Sequence, residues 1–214
     1  MTTVLDASDL SLRKVLRYLK FQEQFTDEFA SLLALKPLNE TEQQRLEEIR
    51  NTLKSYYQDG NILEGEIKFL FLSPLMWLSG FYHPNIRISL EEGIQRIDIQ
   101  AEDIQIKGRM DILAAKREDS DRTALWILLI ESKRATADID VGLPQLLTYA
   151  YRCLDQQDSV WGLTTNGKRY QFVYIQQGKP PTYTLLPELS LLRPGQANQI
   201  LQVMKAICQP FLMG

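Results

Sequence analysis

An acid and a base, Glu131 and Lys133, stand two positions apart where an almost unbroken apolar run, Leu125 to Ile130, comes to an end. On a strand this spacing puts both side chains on one face and turns Ser132 to the other. Asp111 occupies a comparable point in an earlier strand-like segment, Gly108 to Leu113, and could bring a second carboxylate alongside Glu131. Two carboxylates completed by carbonyl and water oxygens suit a hard cation such as Mg²⁺, with Mn²⁺ as a substitute. Such an ion lowers the pKa of a bound water, polarises a phosphodiester and neutralises the charge that develops during in-line displacement. Lys133 would orient that water or stabilise the crowded phosphate, and the carboxylates would keep it charged. The plainer alternative is an ion pair at a strand mouth with no chemistry attached.

Few other groups compete for a catalytic role. His83 is the only histidine and reads as a loop residue closing a helix, so His-based triads and His/Cys zinc sites have little to build on. No GxxxxGK[ST] segment occurs, which excludes P-loop motors and kinases. Cys153 and Cys208 are the only cysteines, and the polar N-terminus lacks a secretory apolar core, so free thiols in a cytoplasmic protein are expected. The longest apolar stretch, Phe69 to Trp77, is broken by Ser73 and Pro74 and is too short to span a membrane. With 24 Lys and Arg against 27 Asp and Glu, the net charge is −3, so any contact with nucleic acid must be local. Lys107, Arg109, Lys133, Arg134, Arg152, Lys168 and Arg169 flank the Asp111–Glu131 segments and could form such a patch, whose contribution should fall with salt.

These residues need a scaffold. Leu12, Val15, Leu16, Leu19 and Phe25 recur at helical spacing and predict one helix over Asp9–Ala34. A second runs from an N-cap at Asn39 through Leu46, Ile49 and Leu53 toward Gly60, and the two read as an antiparallel helical pair whose outer surfaces are open to homodimer contact. Residues 1–60 therefore read as a helical extension and 61–214 as the main domain. A third helix starts at Asn61, with Glu64 and Glu66 in the first turns, where the helix dipole favours carboxylates; Pro74 bends it and Gly80 stops it.

From Asn85 to Lys116 the period changes to two, predicting strands paired as hairpins. A polar loop over Lys116–Thr123 leads to a fully buried strand, Ala124–Ile130, and then a helix over Asp138–Leu154 capped by Asp138 or Asp140. Ser159–Ile175 reads as a hairpin with a type I′ turn at Asn166-Gly167. A strand near Thr182–Leu186, a break at Pro194-Gly195 and a helix over Ala197–Cys208 complete an α/β sandwich with a central mixed sheet.

Asp111 followed by Glu131-Ser132-Lys133 at the end of an apolar strand resembles the D…(D/E)xK signature of the PD-(D/E)xK nuclease superfamily, with Met110 where some members carry Pro. The similarity is greatest to the N-terminal nuclease domain of type I restriction enzyme R subunits. Those proteins and RecB-like nucleases carry a QxxxY motif on the next helix, matched here by Gln145 to Tyr149, whose spacing of four shares a helix face. They also carry a glutamate on the first core helix, about ten residues ahead of a Pro and a terminal Gly-aromatic pair; Glu64, Pro74 and Gly80-Phe81 fit that frame better than Glu66 does. The Thr165-Asn166-Gly167 hairpin also looks like the segment that follows the motif in R subunits.

The resemblance covers about Asn61–Ile175 and implies a restriction-endonuclease-like αβββαβ core. Its expected activity is Mg²⁺-dependent cleavage of DNA, with Glu64, Asp111, Glu131, Lys133, Gln145 and Tyr149 as site residues and Asp111 and Glu131 as metal ligands. No helicase motor follows the segment, so action alone, as a homodimer, or with a separately encoded helicase or methyltransferase is implied. The alternative is a non-catalytic module that keeps the fold and serves nucleic-acid or protein assembly.

Overall fold

The computed structural model describes residues 2–26, 28–94, 96–99, 102–117 and 125–212. The chain opens with β1 (Thr3–Asp6), α1 (Leu12–Leu19) and β2 (Gln22–Phe25), followed by α2 (Glu40–Asp59). A helical segment comes next: α3 (Glu64–Ile67), a π-helical turn over Lys68–Leu72, and α4 (Ser73–Leu78). Four strands follow, β3 (Ile86–Gly93), β4 (Ile97–Ile99), β5 (Ile104–Lys107) and β6 (Arg109–Lys116), then β7 (Trp126–Ser132) and α5 (Leu143–Cys153). The chain ends with β8 (Ser159–Thr165), β9 (Arg169–Gln176), β10 (Thr182–Leu185), β11 (Leu189–Ser190) and α6 (Pro194–Cys208).

The architecture is α/β, with a large mixed sheet flanked by helices. Its strand order is β2-β10-β9-β8-β7-β6-β3, with β11 paired to β9, and β1, β5 and β4 form a separate small sheet. β7 is buried throughout except at Trp126 and runs parallel to β8, with α5 as the crossover between them. Two apolar layers sandwich the sheet. On one side Leu46, Leu53, Phe71, Leu75 and Ile200 pack against Ile112, Ile130 and Phe172. On the other, Val15, Leu19, Leu146, Leu147 and Ala150 pack against Leu113, Leu129 and Val173.

This layering overturns the expected N-terminal helical pair. The helix predicted over Asp9–Ala34 stops at Leu19, where Lys20 turns left-handed (φ 60), and Gln22–Phe25 pairs in parallel with β10 as an edge strand. Phe25, which continued the helical spacing in sequence, is 75% exposed. α1 and α2 lie in opposite layers, because each buries its apolar stripe against the sheet and not against the other helix. The first sixty residues thus supply parts of both layers and strands to both sheets.

Other local expectations hold or shift for identifiable reasons. Asn39 caps α2 through a reciprocal box with Glu42. At the β8–β9 turn only Gly167 takes positive φ, whereas type I′ needs it at both central residues. Asn166 instead accepts the Lys168 and Arg169 N–H groups on its side-chain oxygen. Pro194 is no break; it occupies the first turn of α6, where its missing N–H is harmless. Asp138 precedes a short 3-10 turn over Ile139–Gly142 without capping it, and bonds Arg169 instead. Both cysteines are free and buried. Among the described residues no helix is long and apolar enough to cross a membrane. Residues 118–124, which include most of the predicted polar loop, lie outside the described residues.

Candidate active site

Three carboxylates lie level across neighbouring strands. The β3–β6 register pairs Leu90 with Ile112 and Glu92 with Met110, which sets Glu91 opposite Asp111. The β6–β7 register pairs Ile112 with Ile130, and its continuation sets Asp111 opposite Glu131. Strands lie about 4.8 Å apart, so like charges on adjacent strands repel unless cations or protons intervene. Two lysines provide the cations, Lys68 at Asp111 and Lys133 at Glu131.

Lys68, at the start of the π-helical turn, reaches Asp111 Oδ1 at 2.8 Å, Glu64 Oε1 at 3.0 Å and Glu91 Oε1 at 3.0 Å. The π turn has a local cause. Pro74 has no N–H to give and its ring crowds the carbonyl four residues back, so the helix adjusts just ahead of it, and the Ser73 N–H bonds Lys68 O. Glu64 is one helical turn from Lys68 and shares its face. Glu66 is committed elsewhere, accepting the Leu63 N–H at 2.7 Å as part of the α3 N-terminus. Of the two glutamates, Glu64 is therefore the one the fold brings to the cluster.

Asp111 Oδ2 accepts two bonds from Ser132, the backbone N–H at 2.7 Å and the hydroxyl at 3.0 Å. Strand alternation predicted that Ser132 would point away; at the end of β7 its hydroxyl reaches Asp111 instead, and Ser132 is fully buried. Lys133 donates to Glu131 Oε1 at 2.6 Å and to Gln145 Oε1 at 2.7 Å, and Gln145 donates to the Tyr149 hydroxyl at 3.0 Å. The QxxxY pair and the ExK pair thus form one continuous chain of hydrogen bonds. Two glycines make room for it. A Cβ on Gly108 would sit 2.8 Å from the Tyr149 ring, and one on Gly142 would sit 3.2 Å from Glu131 Cγ.

Charge is unevenly held across the cluster. Burial, followed by the charge of Asp111, pushes the Glu131 carboxyl up to about 8 despite the attraction of Lys133. Its second oxygen, Oε2, is buried with no hydrogen-bond partner. Burial and then the Glu131 charge raise the Tyr149 phenol, so it stays protonated. Burial disfavours the Lys68 ammonium, but its bonds to Asp111, Glu91 and Glu64 outweigh that and raise its pKa.

A hard cation fits this donor set. Glu131 Oε2 is an unsatisfied carboxyl oxygen in a dry setting, and the β6–β7 register sets Asp111 across from Glu131. Among the described residues no three His, Cys, Asp or Glu side chains ring a common point closely enough to hold an ion unaided. Mg²⁺ does not require three, since it retains several waters and commonly uses one or two carboxylates together with substrate oxygens.

Of the six sequence-predicted site residues, Glu64 and Asp111 are joined through Lys68, while Glu131, Lys133, Gln145 and Tyr149 form a second network on the neighbouring strand and α5. Sequence reasoning missed Lys68, Glu91 and Ser132. The basic patch is less uniform. Lys107, Arg109 and Arg134 are exposed, and Lys168, also exposed, lies over the Tyr57 ring at the turn beside Ile67. Arg169 is held by Glu188 and Asp138, and Arg152 by Asp155. No family model matches the chain, and no curated protein matches it.

Proposed function

We propose that this chain is a metal-dependent nuclease that hydrolyses phosphodiester bonds in DNA, with a PD-(D/E)xK-type site on a restriction-endonuclease-like core. The observation that carries the reading is Glu131 Oε2, left buried and unpartnered beside Lys133, with Asp111 set across from Glu131 by the continuation of the β6–β7 register. A purely structural ion pair gains nothing from an orphaned carboxylate oxygen, which has lost hydration without replacement. DNA, and not RNA, is the substrate on the strength of the sequence resemblance.

Asp111 and Glu131 would hold Mg²⁺ or Mn²⁺. When bound, such an ion supplies an acidified water and charge neutralisation at the phosphate. The remaining work falls to the chain. Ser132 fixes the Asp111 carboxylate through two bonds, so its orientation does not depend on substrate. Gln145 accepts a hydrogen bond from the Lys133 ammonium and so aims it at the reacting face, where it can stabilise an oxyanion. Tyr149, protonated and buried, anchors Gln145. Exposed Lys107, Arg109 and Arg134 are available for backbone phosphates.

One observation favours the alternative, a non-catalytic module: Lys68 already forms ion pairs with three of the carboxylates. Cleavage of plasmid and oligonucleotide DNA with Mg²⁺ or Mn²⁺, by wild type and by Asp111→Ala, separates the two. The nuclease reading expects metal-dependent cutting that Asp111→Ala abolishes. It fails if wild type cuts nothing and binds no divalent ion, or if the variant cuts equally well.

A further inference from the structure

Lone pairs at Asp111 are nearly exhausted. Oδ2 accepts both Ser132 donors, and Oδ1 accepts Lys68. A carboxylate oxygen offers two lone pairs, so one remains, on the oxygen that faces an ammonium. Lys68 is equally complete, since its three protons match three carboxylate oxygens on Asp111, Glu64 and Glu91. Glu131 differs, with one oxygen on Lys133 and the other bare. Four carboxyl groups here face two ammoniums, so once Glu131 gives up its proton two negative charges remain, the charge of one divalent ion.

From this geometry we infer that Lys68 is the resident cation of the Asp111 half of the site and that a divalent ion binds in competition with it. The inference rests on the reading of the site as a metal centre and adds its regulation. To give Asp111 Oδ1 to a metal, Lys68 must release it while remaining on Glu64 and Glu91. Two backbone departures put this arrangement in place. Lys68 opens the π-helical turn, and Glu91, opposite Asp111, adopts φ 53 at the one rung where the β3–β6 ladder skips its pairing. The released ammonium has somewhere to go, because a groove of about 490 Å³ lined by Lys68, Phe69, Tyr82, Leu90, Glu91 and Asp111 opens beside it. Without a divalent ion Lys68 stands in at the Asp111 half, and the metal affinity the protein displays is the intrinsic one lowered by the cost of displacing Lys68.

The test is Mn²⁺ binding to the full chain without DNA, followed by calorimetry and by the electron paramagnetic resonance signal of free Mn²⁺. Lys68→Met is expected to bind roughly tenfold or more tightly than wild type, because a unit positive charge beside the ion has gone. Lys68→Arg keeps the charge and should bind no more tightly than wild type. Should Lys68→Met fold poorly without metal, Lys68→Gln, which retains hydrogen-bonding capacity, should show the same direction with a smaller change. Melting temperature with and without Mn²⁺ gives a second readout, with a larger metal-induced rise in the neutral variants than in wild type. Equal or weaker binding by both neutral variants, while wild type binds Mn²⁺ and cuts DNA, overturns the competition and leaves the nuclease reading intact. Absence of Mn²⁺ binding in all four proteins overturns the competition, and together with absence of cutting by wild type it overturns the nuclease reading as well.

Discussion

The two halves of the site are built on opposite principles. The Asp111 half is saturated: both oxygens are bonded, Ser132 and Lys68 hold it from two directions, and it borders an open groove. The Glu131 half is starved, with only 2% of the residue exposed, one oxygen bare, and a carboxyl that favours its neutral form up to about pH 8. Satisfied polar groups stabilise a fold, while an unsatisfied buried one persists at a cost. The difference teaches that Asp111 contributes to stability as well as to any chemistry, whereas Glu131 detracts from stability and is best understood through what it could bind. Bare Oε2 is where a proton sits when no cation is near.

The sharpest way to break this contrast is Glu131→Gln. The amide keeps the shape, removes the charge that burial opposes, and cannot serve as an anionic ligand. Cleavage should fall by about a thousandfold or more, while the melting temperature at pH 8 to 9 should hold or rise. A variant that loses stability at alkaline pH would show that Glu131 is an ordinary structural partner of Lys133.

Asp111→Ala should behave differently, losing both functions together. It leaves the Ser132 N–H buried and unpaired and strips Lys68 of its shortest carboxylate contact. Breaking a buried pair from one side costs about 3–5 kcal/mol, and Lys68 still has Glu64 and Glu91, so the lower end of that range is expected. Chemical denaturation reads it. A loss below about 1 kcal/mol would mean that the saturated half is not a stabilising element.

The pH dependence follows from Glu131. Its folded carboxyl titrates at about 8 against 4.5 for the free group, so between those values the native state keeps a proton that the unfolded chain has released. That contribution is fully present below pH 4.5 and is lost as pH rises through about 8. Without divalent ions, stability should decline from pH 5 to 9 by on the order of a few kcal/mol, and Glu131→Gln should flatten the decline. A parallel decline in both proteins would place the titration elsewhere.

The starved half was the more legible one in sequence. An apolar run ending in Glu131 and Lys133, and Gln145 and Tyr149 at helical spacing, are local patterns, and local periodicity is what a sequence displays directly. The saturated half depends on what periodicity does not carry. Glu91, Asp111 and Glu131 fall level only through the registers of two ladders. Lys68 sits within Ile67-Lys68-Phe69-Leu70-Phe71-Leu72, which reads as an apolar helix face with one stray cation, and its aim depends on a π turn set by Pro74. Ser132 is visible in sequence only as the residue facing away from Glu131 and Lys133, and its bonds to Asp111 depend on how β6 lies against β7. The fold shows the same division. The helix that contains α5 and the buried β7 were readable, whereas β2, a polar edge strand of Gln22-Glu23-Gln24-Phe25, exists only because β10 offers it an edge.

Gly108→Ala probes how tightly the chain from Glu131 to Tyr149 is set. The new methyl would lie 2.8 Å from the Tyr149 ring and 2.9 Å from Ala7 Cβ, both buried, so one of them must move. Overpacking of this kind costs about 1–3 kcal/mol. Displacing Tyr149 also frees Gln145 and then Lys133, so cleavage should fall further than stability alone accounts for. Equal stability and activity in the variant would mean that Tyr149 does not position the lysine.

The smallest effects separate the surface cations. Arg169 is engaged by Glu188 and Asp138 with its side chain 38% exposed, and an exposed pair of this kind, screened by solvent, is worth about 0–1 kcal/mol. A cation already neutralised releases few counterions on meeting a phosphate, so Arg169→Ala should leave the salt dependence of DNA binding almost unchanged. Arg134 is exposed and follows Lys133 directly, at the mouth of the Glu131 half. Arg134→Ala should weaken binding alike across DNA sequences and reduce the salt slope by roughly one phosphate contact. If instead Arg169→Ala removes that contact and Arg134→Ala does not, DNA would approach past the β8–β9 turn, and the starved half would lie away from the strand being cut.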